Sequence, residues 1–489
     1  MKNLISKSVA IALGVGAMLP QAMATNGMNL EGYGPIALGM GGASMAYDNG
    51  TAAVMNNPAT LGLMKDGASR LDGAVGFLGP DVQSSSSNQS WSSSADAFYM
   101  PAVGYVTRQD KLTYGIAMFA QGGMGTEYST GPGSWMSAGY TQSTGVASAA
   151  TISAAGGLKE RSELGVGRLI VPLVYNVNEQ LTVGGSIDYV WANLDLQMAM
   201  AGNMMGNMIQ SGLISGSMVD SLVGMQQAGY VTHTYYGYFD FSDNDDFTGK
   251  TKADGFAGKL GLTFKMSEAL TIGASYHSKT DMGDLSGPAT VSMAVRADNG
   301  IMSGGAPNST FGDYTLPLTG DIKVVNFQWP ETYGLGMAFQ ASPKLMVAAD
   351  FKLIKWSDVM QNFNMSFTAS TAASNGNFGG QTMNATLPQN WEDQKVIQLG
   401  ASYAQTTDLT WRFGANIADN PIPDSTVNYL FPAIIKEHYT AGVGYDLNKQ
   451  QSVNFAVSYA PEVAVTNTQT NVQTTHSQTS WQLMYSHGF

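Results

Sequence analysis

The chain has no cysteine and little charge. None of its 489 residues is Cys, and only 12% are Asp, Glu, Lys or Arg, about half the share usual in soluble domains. The absence of Cys excludes disulfides, thiolate metal sites and cysteine nucleophiles. Basic residues are also scarce, 23 against 36 acidic ones, and the net charge is −13. We therefore expect no nucleic acid as a partner, because phosphate binding needs a basic surface.

Apolar runs long enough for a membrane-spanning helix are also missing. The run from Val9 to Leu19 is shorter; it follows Lys2 and Lys7 and is followed by Ala22-Met23-Ala24. A basic start, a short apolar run and an A-x-A site are typical of a signal peptide. We predict a signal peptide over residues 1–24 and export of the mature chain.

The pattern that dominates from residue 70 onward is alternation with period two. In the segment 409–417, Leu409, Trp411 and Phe413 fall on one face, whereas Arg412 and Asn416 fall on the other. Such a strand is apolar on one side and polar on the other. The pattern predicts fourteen strands, at about 70–80, 97–107, 112–120, 161–176, 181–197, 254–265, 270–286, 320–341, 345–366, 391–405, 409–417, 438–446, 452–464 and 479–489.

Short turns and long polar segments alternate between these strands, which is the plan of an outer-membrane barrel. The apolar face carries aromatic residues near the strand ends, as a lipid-facing band requires. A soluble β-sandwich would also alternate, but the Gly, Ser, Thr and Asn of the other face would make a poor core. We predict an all-β fold, a transmembrane antiparallel barrel of 14 strands over residues 69–489. It must close, because an open edge in lipid leaves backbone groups unpaired.

The residues before the barrel do not fit the repeat. Residues 25–68 are rich in Gly and other small residues and contain Asn57-Pro58-Ala59. Small residues allow tight turns and close backbone packing, and a wide barrel is either an aqueous channel or plugged. The segment is therefore either a plug in the lumen or a periplasmic tail.

Several blocks together resemble one family. They are Asn57-Pro58-Ala59, Trp329-Pro330-Glu331-Thr332-Tyr333-Gly334, Trp356-Ser357, the segment 393–403 with Thr410-Trp411-Arg412-Phe413-Gly414, and Asp419-Asn420-Pro421-Ile422-Pro423. In this order they resemble the FadL/TodX-type outer-membrane transporters of long-chain fatty acids and other hydrophobic compounds. The resemblance implies a monomer whose N-terminal hatch, with Asn57, Pro58 and Ala59, occludes the lumen. It also implies an apolar extracellular groove, a lumenal pocket beside the hatch, and lateral release where the third strand bends inward.

A methionine-rich segment, 198–229, is the predicted apolar loop. Its apolar residues include Met198, Met200, Met204, Met205, Met208, Leu213 and Leu222. Flexible Met side chains suit a groove for varied lipophiles, so Met204, Met205, Met208, Leu213 and Leu222 are candidate ligand contacts. The alternative is a lid packed on itself. Asn193 is a further candidate, because Asn193 and Phe363 align near positions where fatty-acid members of the family carry basic residues. Both are uncharged here, which favours a neutral hydrocarbon or an aromatic compound.

Four cations are predicted to face the lumen, namely Arg168, Lys259, Lys352 and Arg412. They are candidate polar contacts for a substrate, or members of ion pairs with Asp188 and Asp350. We expect no enzyme and no cofactor, because the five His are scattered and no H-E-x-x-H or G-x-S-x-G motif occurs. The acidic residues Asp240, Asp243, Asp245 and Asp246 lack EF-hand spacing and are expected to form a solvated loop without a metal.

These patterns lead to one preferred function and two alternatives. We predict passive uptake of hydrophobic small molecules across the bacterial outer membrane, with outer-membrane lipids and the barrel-assembly machinery as the other partners. The last strand ends on Phe489 and resembles the signal by which such barrels are inserted. The alternatives are a general aqueous porin and a structural outer-membrane barrel.

Overall fold

The computed structural model describes residues 26–144, 156–245 and 248–489. The predicted signal peptide and Asp246 lie outside these residues. One sheet of 22 strand segments dominates the fold. The segments are β1 (Ser69–Ser86), β2 (Gln89–Ser92), β3 (Phe98–Gln109), β4 (Leu112–Tyr128), β5 (Glu160–Asn176), β6 (Leu181–Ala201), β7 (Ile214–Ser215), β8 (Val231–Phe241), β9 (Thr251–Lys265), β10 (Leu270–His277), β11 (Asp281–Met282), β12 (Leu285–Asp298), β13 (Phe311–Val325), β14 (Thr332–Ser342), β15 (Leu345–Ile354), β16 (Asn362–Ala369), β17 (Thr382–Pro388), β18 (Gln394–Ala404), β19 (Leu409–Ala418), β20 (Glu437–Asp446), β21 (Gln451–Thr466) and β22 (Gln473–Gly488).

The helices are short and lie in the segment before β1 and in the connections between strands. The α-helices are α1 (Pro35–Leu38), α2 (Pro132–Ser143), α3 (Gly202–Gln210), α4 (Ser217–Gln227) and α5 (Asn299–Met302), and the 3-10 helices are η1 (Gly50–Val54), η2 (Pro58–Leu63), η3 (Trp356–Asp358) and η4 (Ala373–Phe378). Within the described part of the chain, none of the helices combines the length and the apolar character needed to cross a bilayer.

The sheet closes on itself. Strand β1 pairs with β3 on one side and with β22, the last strand, on the other. All the pairings are antiparallel, and the β1–β22 register runs from Arg70↔Gly488 to Ser85↔Gln473. Closure leaves no open edge between the first and the last strand, which satisfies their backbone groups. The predicted all-β closed antiparallel barrel is therefore confirmed.

The prediction of fourteen strands is wrong. Three predicted strands, 270–286, 320–341 and 345–366, are each interrupted, and β2, β7, β8 and β17 lie in segments predicted to be long loops. The interruptions arise because the chain leaves the sheet at residues such as Trp329 and Trp356 and buries their rings. A period-two pattern does not reveal such breaks, since residues on both sides of a break keep the alternation.

The outer face of the barrel is apolar. On β19, Trp411, Phe413 and Ile417 are 40%, 56% and 46% exposed, whereas their neighbour Asn416 is fully buried. The same alternation places exposed Leu, Val, Tyr and Phe side chains on most of the other strands of the circuit. An outward apolar band is what a strand in a bilayer requires.

The N-terminal segment, which we define as residues 26–64, is almost entirely buried. It touches strands around the whole circuit: Thr51 packs on Gly104 of β3, Asn57 donates to the carbonyl oxygen of Leu262 of β9 at 3.0 Å, and Gly41 packs on the backbone of β18 and β19. A side chain at position 41 or 42 would overlap backbone atoms, and both glycines have positive φ, +69° and +86°. Glycine is therefore required where the segment meets the wall.

Candidate functional site

An apolar cavity lies between the N-terminal segment and the barrel wall. Its empty space, counted with the solvent at its open mouth, is about 440 Å³, and ten of its twelve lining residues are apolar. The lining residues are Met28, Met124, Leu164, Leu196, Met198, Phe327, Met360, Phe363, Leu387, Gln389, Asn428 and Phe431. Among these described residues none is charged, and the two polar ones are amides.

Three buried tryptophans lie at the strand interruptions. Trp329 and Trp356 pack edge to face with ring centres 5.6 Å apart, and Trp356 packs against Trp391 at 5.2 Å. Each is at most 1% exposed. The Trp329 indole donates to Asn29 Oδ1 of the N-terminal segment at 2.8 Å. The interruptions thus turn aromatic side chains of the wall toward the N-terminal segment, next to the Phe327 and Met360 of the cavity.

The loop 419–436 closes another side of the cavity with Asn428 and Phe431. Between them, the Tyr429 hydroxyl donates to Glu160 Oε1 at 2.9 Å. Burial, and then the Glu160 carboxylate, raises the pKa of the Tyr429 phenol well above its usual range. The phenol therefore stays protonated and keeps this hydrogen bond, which holds the loop against β5.

A second, more open pocket, with about 340 Å³ of empty space counted with the solvent at its mouth, lies where the pairing of β3 with β4 stops. That pairing ends at Val103↔Met118, although β4 continues to Tyr128 in pairing with β5. This pocket is lined by residues of the N-terminal segment, β1, β3, β4 and β22, among them Tyr33 and Phe119. The chain meets β4 again at Ser94, whose N–H donates to the Glu127 carbonyl oxygen at 2.8 Å.

Strand β4 bends inward at this point. Its register with β5 shifts between Ala120 and Gly122, and the Gly123 N–H donates to the carbonyl oxygen of Met28 at 3.2 Å. A Cβ at Gly122 would overlap that carbonyl oxygen. Glycine at this position therefore allows the strand and the N-terminal segment to touch.

The methionine-rich segment, predicted to be a loop, consists mostly of helices and strands. Residues 198–201 extend β6, and the rest forms α3, β7 and α4, with β7 paired to β17. Met205 and Leu222 are buried, whereas Met204, Met208 and Leu213 are half-buried. None of these five lines the apolar cavity, but Met198 does.

The other candidate residues are distributed between the wall and the N-terminal segment. Asn193 is half-buried on β6 and pairs in register with Gly165 and Lys252. Asn57 caps η2 by accepting from the Ala59 N–H at 3.1 Å, and Pro58 is the first residue of that helix. The Asn57 amide also donates to the Met45 carbonyl oxygen at 2.7 Å.

Two of the four lumenal cations share one carboxylate. Arg168 donates to Asp188 at 2.8 Å, and Lys259 is also paired with Asp188. Arg412 donates to Asn454 Oδ1 at 3.0 Å. Lys352 lies on β15, two residues from Asp350, whose carboxylate accepts from the backbone N–H groups of the N-terminal segment rather than from a cation within hydrogen-bond distance. None of the four lines the apolar cavity.

Most of the cavity has no signature in the sequence. Of its lining residues, the sequence patterns mark only Met198 and Phe363. Met28 and Met124 carried no local signal, because they meet only through the contact of the N-terminal segment with β4. In the described part of the chain, no group of three or more His, Asp or Glu side chains is arranged to hold a metal ion.

Comparisons with known proteins agree with this architecture. A family described as "Outer membrane protein transport protein (OMPP1/FadL/TodX)" matches residues 15–486. The solved P. putida toluene transporter TodX is 31% identical, with a TM-score of 0.75, and the match covers 94% of this chain and 99% of that one. The Ralstonia pickettii toluene transporter TbuX is also 31% identical, with a TM-score of 0.70 and the same coverage.

Two other relatives match this chain at lower identity or over fewer residues. The long-chain fatty acid transport protein of Escherichia coli K12 is 22% identical over 473 residues, which cover 94% of this chain and 92% of that protein. An uncharacterized Chlorobium limicola protein, from the 5′ region of the phosphoenolpyruvate carboxykinase gene, is 45% identical over 118 residues. That match covers 24% of this chain and only 55% of the Chlorobium protein. As the sequence predicts, the family is one of transport proteins and not of enzymes. The chain belongs to the OMPP1/FadL/TodX family of outer membrane transport proteins.

Proposed function

We propose that the protein is a passive channel for the uptake of neutral hydrophobic molecules, with small aromatic hydrocarbons as the preferred class. The observation that carries the proposal is the apolar cavity with its uncharged lining. A hydrocarbon gains ~0.8 kcal/mol per CH₂ on leaving water, whereas a carboxylate buried without a partner is strongly disfavoured. A fatty-acid carboxylate would need a cation at the cavity, and none of the described lining residues supplies one. Thioethers and aromatic rings, as in Met198 and Phe363, contact an aromatic ligand favourably.

We propose that residues 25–68 form the hatch, with Asn57, Pro58 and Ala59 at its anchored end, and that residues 69–489 form the barrel. The contacts of the N-terminal segment around the circuit support this division. A segment that packs on β3, β9 and β19 at once leaves little room for a water-filled bore. This favours a closed channel over the general aqueous porin.

The route that we propose has three parts. A lipophile first meets Met204, Met208 and Leu213, whose half-exposed side chains lie on α3 and before β7. It then occupies the apolar cavity, and finally leaves sideways through the opening between β3 and β4. The end of the β3–β4 pairing at Val103↔Met118 and the bend of β4 support a lateral exit. A route of this kind keeps the cargo out of water.

The test is uptake of labelled toluene and labelled oleate by cells lacking the gene and by cells in which it is restored. Faster uptake of toluene in the restored strain, with little change for oleate, is the expected result. Leu196→Gln should slow toluene uptake by about tenfold, a barrier of about 1.4 kcal/mol, because the amide binds water that the hydrocarbon must displace.

The matched control is Leu447→Gln, since Leu447 lies in a turn and is 52% exposed. This variant should transport toluene at the wild-type rate. Equal uptake with and without the gene contradicts the proposed function. Faster uptake of oleate alone would keep a channel but reject the aromatic class.

A further inference from the structure

Two amide side chains interrupt the otherwise apolar lining of the cavity. They belong to Gln389 and Asn428, which we call the amide pair. Gln389 directly follows β17, and Asn428 lies in the loop 419–436. A hydrocarbon has no group that accepts or donates a hydrogen bond. A hydrocarbon ligand alone therefore gives no reason for polar side chains at these two positions.

The backbone around the amide pair is fixed by hydrogen bonds. The Gln389 N–H donates to the Gln361 carbonyl oxygen at 2.9 Å, and the Thr426 hydroxyl donates to the Gln389 carbonyl oxygen at 2.6 Å. Because Thr426 lies two residues before Asn428, this second bond also joins the two segments. In the loop, the Phe431 N–H donates to the Asn428 carbonyl oxygen at 3.0 Å. The two segments that carry the amides are thus held together before a ligand binds, which lowers the cost of binding.

Each amide has one group that is bonded within the protein and one that is not. Asn428 Oδ1 accepts from the Leu430 N–H at 2.9 Å, and Gln389 Nε2 donates to the Leu387 carbonyl oxygen over 3.4 Å. Among the described residues, Gln389 Oε1 and Asn428 Nδ2 have no hydrogen-bond partner. Gln389 is only 6% exposed, and Asn428 is half-buried. The amide pair therefore offers a ligand in the cavity one acceptor and one donor.

A hydroxyl group matches this arrangement, because its O–H donates and its oxygen accepts. A carboxylate matches it poorly, since it has no donor and brings a charge that no described lining residue balances. The rest of the cavity favours an aromatic ring, because Met and Phe side chains line it. The lining as a whole therefore fits a neutral aromatic ring that carries one hydroxyl group.

We propose that the amide pair recognises the hydroxyl group of monohydroxylated aromatic compounds, so that the channel takes up phenols as well as hydrocarbons. The inference rests on the proposed function, because the phenol ring occupies the same cavity and follows the same route. A phenol that enters a purely apolar cavity loses the hydrogen bonds that its hydroxyl makes with water, at a cost. The amide pair replaces those bonds. A hydrocarbon gains nothing from the amide pair and must displace the water that the amides bind.

The test compares the uptake of labelled toluene with that of labelled p-cresol, which is toluene with one hydroxyl group. Initial rates are measured in cells lacking the gene and in cells that carry the wild-type or a variant gene. The difference is the gene-dependent rate, which excludes diffusion through the rest of the membrane. Wild-type cells should take up both compounds at a gene-dependent rate.

Gln389→Met keeps the size of the side chain and removes its amide. This variant should lower the ratio of p-cresol uptake to toluene uptake by about three- to tenfold, the equivalent of one hydrogen bond. Toluene uptake itself should rise, because the hydrocarbon no longer displaces water from Gln389. Asn428→Leu should lower the same ratio. An effect on packing alone would change both rates in parallel and leave the ratio at the wild-type value.

Gln381→Met is the matched control. Gln381 Nε2 donates to the Asn377 carbonyl oxygen at 2.9 Å, and its Oε1 has no partner among the described residues, as in Gln389, but Gln381 lines neither pocket. The ratio should stay at the wild-type value in this variant. The inference is overturned if Gln389→Met and Asn428→Leu both keep that value.

A second outcome needs no variant. Gene-dependent uptake of toluene without gene-dependent uptake of p-cresol in wild-type cells overturns the inference and leaves the proposed function intact. Uptake of both compounds that does not depend on the gene rejects the proposed function, and the inference with it. Gene-dependent uptake of p-cresol alone would support recognition of the hydroxyl group and reject hydrocarbons as the preferred class.

Discussion

Strands β5 and β22 have the same outer face and opposite inner faces. Outward, β5 exposes Val171, Leu173 and Tyr175, and β22 exposes Leu483 and Tyr485. Inward, β5 buries Leu164, Val166, Ile170 and Val174 on either side of Arg168, whereas β22 buries only polar side chains from Thr474 to Gln482. The outer face is set by lipid, which is the same on all sides. The inner face is free to differ, and its composition therefore carries the information about what passes.

The largest effect is expected from deleting the N-terminal segment, which packs against these inner faces. Deletion of residues 26–64 should convert a channel with negligible ion conductance into an open pore of nanosiemens conductance, because a wide barrel without a plug is water-filled. Planar-bilayer recordings measure this. A folded deletion variant, identified by its circular dichroism, that stays non-conducting would contradict the hatch.

The second-largest effect is expected at Asp188, a buried carboxylate on the inner face of β6. Asp188→Leu removes the carboxylate that Arg168 and Lys259 share and leaves two buried cations unpaired. We expect a loss of about 3–5 kcal/mol in the free energy of unfolding, measured by urea titration in detergent. Glu268→Leu, at a pair in which Glu268 is 95% exposed, should leave the midpoint unchanged. Equal urea midpoints for Asp188→Leu and Glu268→Leu would contradict a stabilising role of the Asp188 carboxylate.

A smaller loss of stability is expected from a substitution at Gly122 in the bend of β4. Gly122→Val places a side chain against the Met28 carbonyl oxygen and should cost about 1–3 kcal/mol of stability. Gly283→Val is the control, since no atom lies within 4 Å of a Cβ at that position. Thermal unfolding of both variants checks the prediction, which fails if Gly122→Val unfolds at the wild-type temperature.

The smallest effect is expected from the Tyr33 hydroxyl beside the β3–β4 opening. It donates to the Gln121 carbonyl oxygen at 2.6 Å and accepts from Gln121 Nε2 at 2.9 Å, and Tyr33→Phe should cost about 1–2 kcal/mol. Tyr445, which is 50% exposed, provides the control Tyr445→Phe with no expected change. Urea titration resolves the difference. A larger loss for Tyr445→Phe would contradict the importance of the N-terminal contact.

The outward-facing residues of the barrel could be predicted from the sequence, because every second residue of a strand in lipid must be apolar. The alternation around Trp411 and Phe413 located β19 within a residue of its ends. The interruptions could not be predicted in this way. Trp329 and Trp356 mark them, but their burial depends on contact with the N-terminal segment and with each other.

The cavity was predictable in kind but not in detail. Of the Met-rich segment 198–229, Met198 lines the cavity, whereas the candidate contacts Met204, Met205, Met208, Leu213 and Leu222 do not. The uncharged Phe363, which also lines the cavity, favours a neutral substrate. Met28, Met124 and Phe431 lie far apart in the chain and meet only in the closed barrel.

The seam between β1 and β22 has a consequence for biogenesis. The first and last strands complete the ring, so the cylinder cannot be sealed before translation and export have delivered the C-terminus. The N-terminal segment directly precedes β1. In the hatch arrangement that we propose, its packing against the wall and the closing of this seam are coupled, so variants of the segment should slow assembly as well as transport.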